Sequence, residues 1–308
     1  MVKYIYMGTP QIAARILEKL CEHELPPALV VTQMAKPKGR GYKVVPSDVE
    51  QYARTQDLNV LETLDVNAQS TVDVLKTFHA DLIIVVAFGQ ILKESVLKMP
   101  KYGCLNLHAS LLPKYRGAAP VQRAIMEGEK ETGVTLQRIV RKLDAGDIFL
   151  QKKIPILPDE TSGDLLLRLG DLGGDMILET LQKIEAGQMA FTPQEESLAT
   201  YAKKIEKAES NIDWNQPAEQ ISNVIRALQP WPVAQMDFQG EKLKIFKATV
   251  VPGLSGQAPG SLQTDRKSFL RVQCGDGNAL SLLEVQQEGR KRLNLVEFLQ
   301  GYRWPSVD

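Results

Sequence analysis

Cysteine and histidine are both scarce. Cys21, Cys104 and Cys274 lie far apart, with no C-x-x-C pair and no histidine cluster beside them. That excludes a disulfide framework and a zinc site of ordinary spacing, and makes a reducing cytoplasm the expected compartment. Long apolar runs are missing too. "DLIIVVAFGQIL" is strand-sized, not bilayer-sized, so no membrane span is expected. The opening "MVKYIYMGTPQIAARIL" lacks a basic segment followed by a long apolar run, so no signal peptide is expected. Nor is there an excess of charge: 37 Lys and Arg balance 37 Asp and Glu. The same holds locally, since residues 209–308 carry 11 acids and 11 bases. A polyanionic partner must therefore be met by clustered bases, not by overall charge.

What the chain does have is alternation. "KYIYMG", "ALVVT", "NVLE", "DLIIVVAF" and "CLNLHA" read as strands, separated by "QIAARILEKLCE", "PSDVEQYARTQ" and "NAQSTVDVLKTFH" at helical spacing. Such alternation predicts an α/β fold, a Rossmann-like, doubly wound and mostly parallel sheet, with ligands outside the carboxyl ends of its strands. "MGTPQIA" is not G-x-G-x-x-G, so no dinucleotide is inferred. Beyond residue 130, "GVTLQRIV" and "DIFLQKKIPI" read as antiparallel strands around "RKLDAGD", followed by a long helical pattern. The last hundred residues hold five short strands, "VAQMDF", "KLKIFKATVV", "GSLQT", "FLRVQC" and "ALSLLEVQ". That count suggests a small C-terminal OB-like β-barrel. The expected division is a catalytic domain over 1–192, a linker over 193–216 and the barrel domain over 217–308.

The stretch "GCLNLHASLLPKYRGAAPVQ" sets Asn106 and His108 on one face of a strand and Leu105 and Leu107 on the other. Taken alone, an Asn and a His there read most simply as buried polar groups satisfied by neighbouring backbone. Asp144, in "LDAGD", can equally be an Asx-turn residue. Together they are more telling. "NLHASLLPKYRGAAPVQRAI" followed by "ETGVTLQRIVRKLDAGDI" closely resembles the folate-dependent formyltransferases, which share N-x-H-x-SLLP-x-x-RG and a downstream LDxGD.

That resemblance implies a catalytic set of Asn106, His108 and Asp144. It also implies that Ser110, Leu111, Leu112 and Pro113 line the site of the co-substrate 10-formyltetrahydrofolate. Phe88, Gly89 and Ile91, in "VVAFGQIL", fit the family's slot for the pteridine ring. In this chemistry an amine attacks the formyl carbon. An Asn amide and an imidazolium then donate to the developing oxyanion, and one such donor is typically worth ~3 kcal/mol of barrier. A carboxylate favours the protonated imidazole and can help move a proton from amine to folate nitrogen. No metal is called for. Ser110 invites a Ser-His-Asp hydrolase reading, but it does not sit in G-x-S-x-G.

The family's amines include glycinamide ribonucleotide, nucleotide sugars and the methionyl group of initiator methionyl-tRNA. Lys36, Lys38, Arg40 and Lys43, in "TQMAKPKGRGYKVVPS", form a Gly-flanked basic loop with no acid, suited to a phosphate backbone and equally to a solvated surface. "YMGTPQIAARIL", "KGRGYKVVPS" and "IDWNQPAEQISNVIRALQPWP" resemble the tRNA-directed branch along essentially the whole chain. Met34-Ala35 departs from it where Pro-Asp is common. The branch implies formylation of initiator methionyl-tRNA for translation initiation, with the barrel as a tRNA-binding module and a monomer expected. The rivals are a formyltransferase for a small amine, which needs neither barrel nor basic loop, and a non-catalytic RNA-binding protein.

Overall fold

The computed structural model describes residues 2–38, 43–253 and 255–304. In chain order its elements begin with β1 (Tyr4–Gly8), α1 (Gln11–Glu22), β2 (Leu29–Gln33), β3 (Lys36–Lys38), β4 (Lys43–Val45), α2 (Asp48–Thr55) and β5 (Val60–Thr63). Next come α3 (Gln69–Thr77), β6 (Leu82–Val86), α4 (Glu94–Leu97), β7 (Cys104–His108), β8 (Arg116–Gly117), α5 (Pro120–Met126), β9 (Glu131–Arg138) and β10 (Ile148–Pro155). The remainder is α6 (Ser162–Glu185), β11 (Tyr201–Ala202), α7 (Ala218–Ala227), β12 (Gln235–Phe238), β13 (Glu241–Pro252), β14 (Leu262–Thr264), β15 (Leu270–Gln273), β16 (Asn278–Gln287), β17 (Leu293–Asn294) and α8 (Leu295–Gly301). No described helix is long and apolar enough to cross a membrane.

The chain divides into two compact units. The first comprises Met1–Pro120, Glu131–Pro155 and Leu166–Ala202. It is built on a seven-stranded sheet of order β10-β9-β7-β6-β1-β2-β5. The five strands from β5 to β7 run parallel, as the alternating pattern predicts. In β1 and β6 every residue is buried, and their continuous apolar sequences follow from burial on both faces. One face packs Ile5, Met7, Val31, Ile83, Val85 and Cys104 with Val72, Leu75 and Val96 from the helices. On α1, Ile12, Ala13, Ile16, Leu17 and Leu20 recur at the helical repeat and are buried. Ser47 caps α2 by accepting the Glu50 N–H at 3.0 Å. Gly173 of α6 meets the sheet so closely that a Cβ there would lie 2.6 Å from Leu107 Cδ2. The glycines of that helix thus permit its approach.

The two strands read as an antiparallel pair do more than pair with each other. β9 also joins the edge of the parallel sheet, antiparallel to β7, and β10 follows it. Residues 116–117 and 201–202 make a further short parallel pair, β8 with β11.

The second unit comprises Val121–Lys130, Ile156–Leu165 and Lys203–Asp308. Its antiparallel sheet runs β12-β13-β16-β15-β14, with β17 pairing β16. The five strands expected from sequence are β12 to β16, and the result is an antiparallel half-barrel. Leu243, Ile245, Val272, Leu280, Leu282 and Val285 form its buried side, together with Ile221 and Ile225 of α7 and Phe298 of α8.

Candidate active site

The order β1-β6-β7 places the carboxyl ends of three parallel strands side by side, next to the point where the strand order reverses. Asn106 pairs in register with Val85 on one side and Gln137 on the other, and His108 lies opposite Thr135. Residues opposite one another in an antiparallel pair share a face. Asn106, His108, Gln137 and Thr135 therefore line one side of the strand ends.

His108 is buried and its Nε2 lies 2.8 Å from the Tyr115 carbonyl. A carbonyl can only accept, so Nε2 carries a proton and Nδ1 faces Asp144 Oδ2 at 3.7 Å. The β9–β10 turn thus brings its aspartate to the imidazole. Asp144 itself has φ +47°, a left-handed conformation that Asp tolerates better than most residues. Gly146 belongs to the same turn for another reason: a Cβ there would fall 1.7 Å from the Arg138 carbonyl oxygen.

Both oxygens of the Asp144 carboxylate are engaged. Oδ2 accepts the Gly117 N–H at 2.8 Å and Oδ1 accepts from Gln137 Nε2 at 3.1 Å. The Asn106 side chain has no hydrogen-bond partner among the described residues and is half-buried, so its amide is available to an incoming group.

The 110–113 segment is held from below. Thr135 Oγ1 donates to the Ser110 carbonyl at 2.6 Å and accepts the Leu112 N–H at 3.1 Å. Gln151 Nε2 lies 2.9 Å from the Leu112 carbonyl and 2.8 Å from Thr135 Oγ1. The Ser110 hydroxyl is fully buried and donates to the Lys114 carbonyl at 2.6 Å. It is turned to backbone, not to His108, and the hydrolase reading loses its nucleophile. Leu112 is buried, while Leu111 and Pro113 are half-buried.

On the neighbouring strand end the three residues expected in the slot part company. The Phe88 ring sits in the hydrophobic core, and its carbonyl accepts from Thr9 Oγ1 at 3.0 Å and Gln33 Nε2 at 2.6 Å. Gly89 has φ +81° and is exposed, and Ile91 is 85% exposed. Of the three, Ile91 and the Gly89 backbone are the ones open to a ligand. Cys104 starts β7, the strand that carries Asn106 and His108, but burial pushes its thiol up to about 12 and removes it as a nucleophile.

Lys36 and Lys38 fall in β3 and Lys43 in β4, which pair as an antiparallel hairpin. Arg40 lies outside the described residues. At the hairpin's entry Met34 is 42% exposed, and the Ala35 N–H lies 3.4 Å from Glu62 Oε1.

Sequence reasoning missed the residues that hold Asp144. Arg116 is fully buried, with Nε and Nη2 at 3.1 and 2.9 Å from Gln194 Oε1 and Nη1 at 3.0 Å from Glu196 Oε2. Hydrogen bonds from Lys142 and Arg116 hold the Glu196 carboxyl below the usual carboxylate range. Gln194 Nε2 in turn lies 2.9 Å from the Asp144 carbonyl, 2.7 Å from that of Gly146 and 3.1 Å from Gln137 Oε1. A Gln in a polar stretch carries no signal of such a role. The Arg-Gly pair after SLLP was the nearest clue.

Residues 2–181 match the family described as formyl transferase, and residues 204–303 match the formyl transferase C-terminal domain. Methionyl-tRNA formyltransferase of Dictyoglomus thermophilum is 44% identical over 307 residues, covering 98% of this chain and 97% of its own. The enzyme of the same name from Agathobacter rectalis is 43% identical over 302 residues, covering 97% and 96%. Among solved structures, HypX from Aquifex aeolicus in complex with tetrahydrofolic acid shares the fold at TM-score 0.65 and 22% identity. It is matched over 99% of this chain and 50% of its own. Methionyl-tRNA formyltransferase from Clostridium thermocellum does so at TM-score 0.57 and 16% identity, over 89% and 100%. With both family regions present in order and relatives above 40% identity along nearly the whole length, the chain belongs to the formyltransferase family.

Proposed function

We propose that Asn106, His108 and Asp144 are the catalytic set of a methionyl-tRNA formyltransferase. The protein transfers a formyl group from 10-formyltetrahydrofolate to the free amino group of the methionyl moiety of initiator methionyl-tRNA, for translation initiation. The observation that carries the residue assignment is the approach of the Asp144 carboxylate to His108 beside an Asn106 amide that has no hydrogen-bond partner among the described residues.

The methionyl amine is the nucleophile, so no covalent enzyme intermediate is needed. As it attacks the formyl carbon, negative charge grows on the formyl oxygen. The Asn106 amide and a protonated His108 Nδ1 donate to that oxygen, each in a partly dehydrated setting where such bonds count for more than in water. The Asp144 carboxylate balances the imidazolium and lies where the proton lost by the amine can pass toward the departing folate nitrogen.

The donor set suits a folate. Leu111 and Pro113 at the end of β7 and Ile91 beyond β6 supply apolar surface, with backbone polar groups of 88–91 and 110–113 at its edge. Ser110 and Leu112 are buried and shape that segment from within, and Phe88 anchors its neighbour in the core. The co-substrate supplies the activated one-carbon group; the protein supplies position and hydrogen-bond donors.

Residues 1–192 act as the catalytic domain, 193–216 as the linker, and the half-barrel of 217–308 as the tRNA-docking domain. Lys36, Lys38, Arg40 and Lys43 contact the acceptor end of the tRNA. The protein works in the cytoplasm as a monomer, in keeping with its three free thiols. An assay offering both charged initiator tRNA and glycinamide ribonucleotide tests the substrate: formyl appears on the tRNA, and formylation of the nucleotide alone would overturn the reading.

A further inference from the structure

Gln194 lies in neither region matched to the family, 2–181 or 204–303, and falls in the stretch expected to be linker. Yet its side chain touches the turn that bears Asp144. We propose that Gln194 is a positioning residue for formyl transfer: it fixes the Asp144 turn and sets the direction of a hydrogen-bond chain from buried Arg116 to the Asp144 carboxylate. The proposal rests on the catalytic role assigned to Asp144 above.

The direction follows from which groups can only donate. A guanidinium has no acceptor, so the Gln194 atom between Arg116 Nε and Nη2 must be oxygen. Its nitrogen is thereby turned toward the Asp144 and Gly146 carbonyls and Gln137. Gln137 must then present its own oxygen to Gln194, which leaves its nitrogen to donate to Asp144 Oδ1. An amide whose ends are otherwise interchangeable is thus locked at both positions. The chain starts on a cation with no solvent exposure and ends on the carboxylate that faces His108.

The turn needs such a hold. Asp144 sits at φ +47°, a sparsely populated conformation that persists only where surroundings fix it. Two of the three acceptors around Gln194 Nε2 are backbone carbonyls of this turn, at residues 144 and 146. Displacing a catalytic group by an ångström can cost roughly 100-fold in rate, so a contact outside the reacting centre can govern turnover.

Two variants separate positioning from scaffolding. Gln194→Glu keeps an oxygen for Arg116 but sets a second oxygen against the turn carbonyls and Gln137. Gln194→Met removes every hydrogen bond at similar volume. Both are expected to lower kcat roughly 10- to 100-fold, with KM for folate and for charged tRNA within about twofold of the parent. Parental kcat in Gln194→Glu would overturn the proposal, since the residue would then serve only to satisfy Arg116. So would a loss confined to KM, or failure of both variants to fold. Asp144→Asn in the same assay guards the premise. If it retains parental turnover the assignment of Asp144 fails, whereas inactive Asp144→Asn with fully active Gln194 variants removes Gln194 alone.

Discussion

His108 and Asp144 face one another across 3.7 Å, and neither makes its shortest contact with the other. The imidazole's short bond is to the Tyr115 carbonyl at 2.8 Å, and the carboxylate's is from the Gly117 N–H at 2.8 Å. Each group is thus fixed by backbone, and the gap between them is set by the scaffold and not by their own attraction. When the ring is protonated its Nε2–H stays on the Tyr115 carbonyl, and the 3.7 Å gap to Asp144 leaves the Nδ1–H for the formyl oxygen while the carboxylate balances the charge.

Gly146 offers a test of that fixed gap at a residue with no chemistry of its own. A Cβ at this position would lie 1.7 Å from the Arg138 carbonyl oxygen, and backbone cannot be pushed aside as a flexible side chain can. Gly146→Ala is expected to shift the turn, lower the melting temperature and reduce kcat by roughly 100-fold or more. Thermal unfolding and steady-state kinetics check it; parental values for both would show that the turn tolerates displacement.

Glu196 links the site to solution pH. Its carboxyl is pulled below the ordinary range by Lys142 and Arg116, so its folded-state value is lower than its unfolded one. The stability it contributes is complete above the unfolded value, about 4.3, and is lost as pH falls through the depressed folded value. Glu196→Gln is therefore expected to lower the melting temperature at neutral pH, with the difference from the parent shrinking in acid. Melting curves from pH 7 down to about 3 measure it; a difference that grows on acidification would contradict the pairing.

The basic loop yields a prediction about one substrate only. Arg40→Ala is expected to lower kcat/KM for charged initiator tRNA while leaving folate binding unchanged, and the difference from the parent should shrink with added salt, because the parent loses the phosphate contact that the variant already lacks. Paired titrations of folate and tRNA decide it. An unchanged kcat/KM for tRNA would take Arg40 out of the RNA contact.

How much was legible beforehand varies with the range of the interaction. β1, β2 and β6 are readable as apolar runs bounded by turn residues, and β7 as apolar residues alternating with Asn106 and His108. The pairing of Asn106 with His108 followed from the two-residue period of a strand. Joining β9 to β7 was not readable, because the register Asn106↔Gln137 links residues 31 apart and leaves no local mark. Gln194 is harder still. Its contact with Asp144 spans 50 residues, and a glutamine between a proline and two glutamates looks like solvated chain. Phe88 shows the opposite failing. An aromatic next to a glycine at a strand end suggests a ligand slot, but its ring is needed to close the core.

The central claim is that an amide and an imidazole, backed by a carboxylate, receive the charge that builds up as formyl changes hands. Single-turnover formylation of charged initiator tRNA by Asn106→Ala, with folate and tRNA both saturating, tests it most directly. A chemical step slowed about 100-fold or more is expected, with far-ultraviolet circular dichroism and folate affinity unchanged. A single-turnover rate equal to the parent's would contradict it.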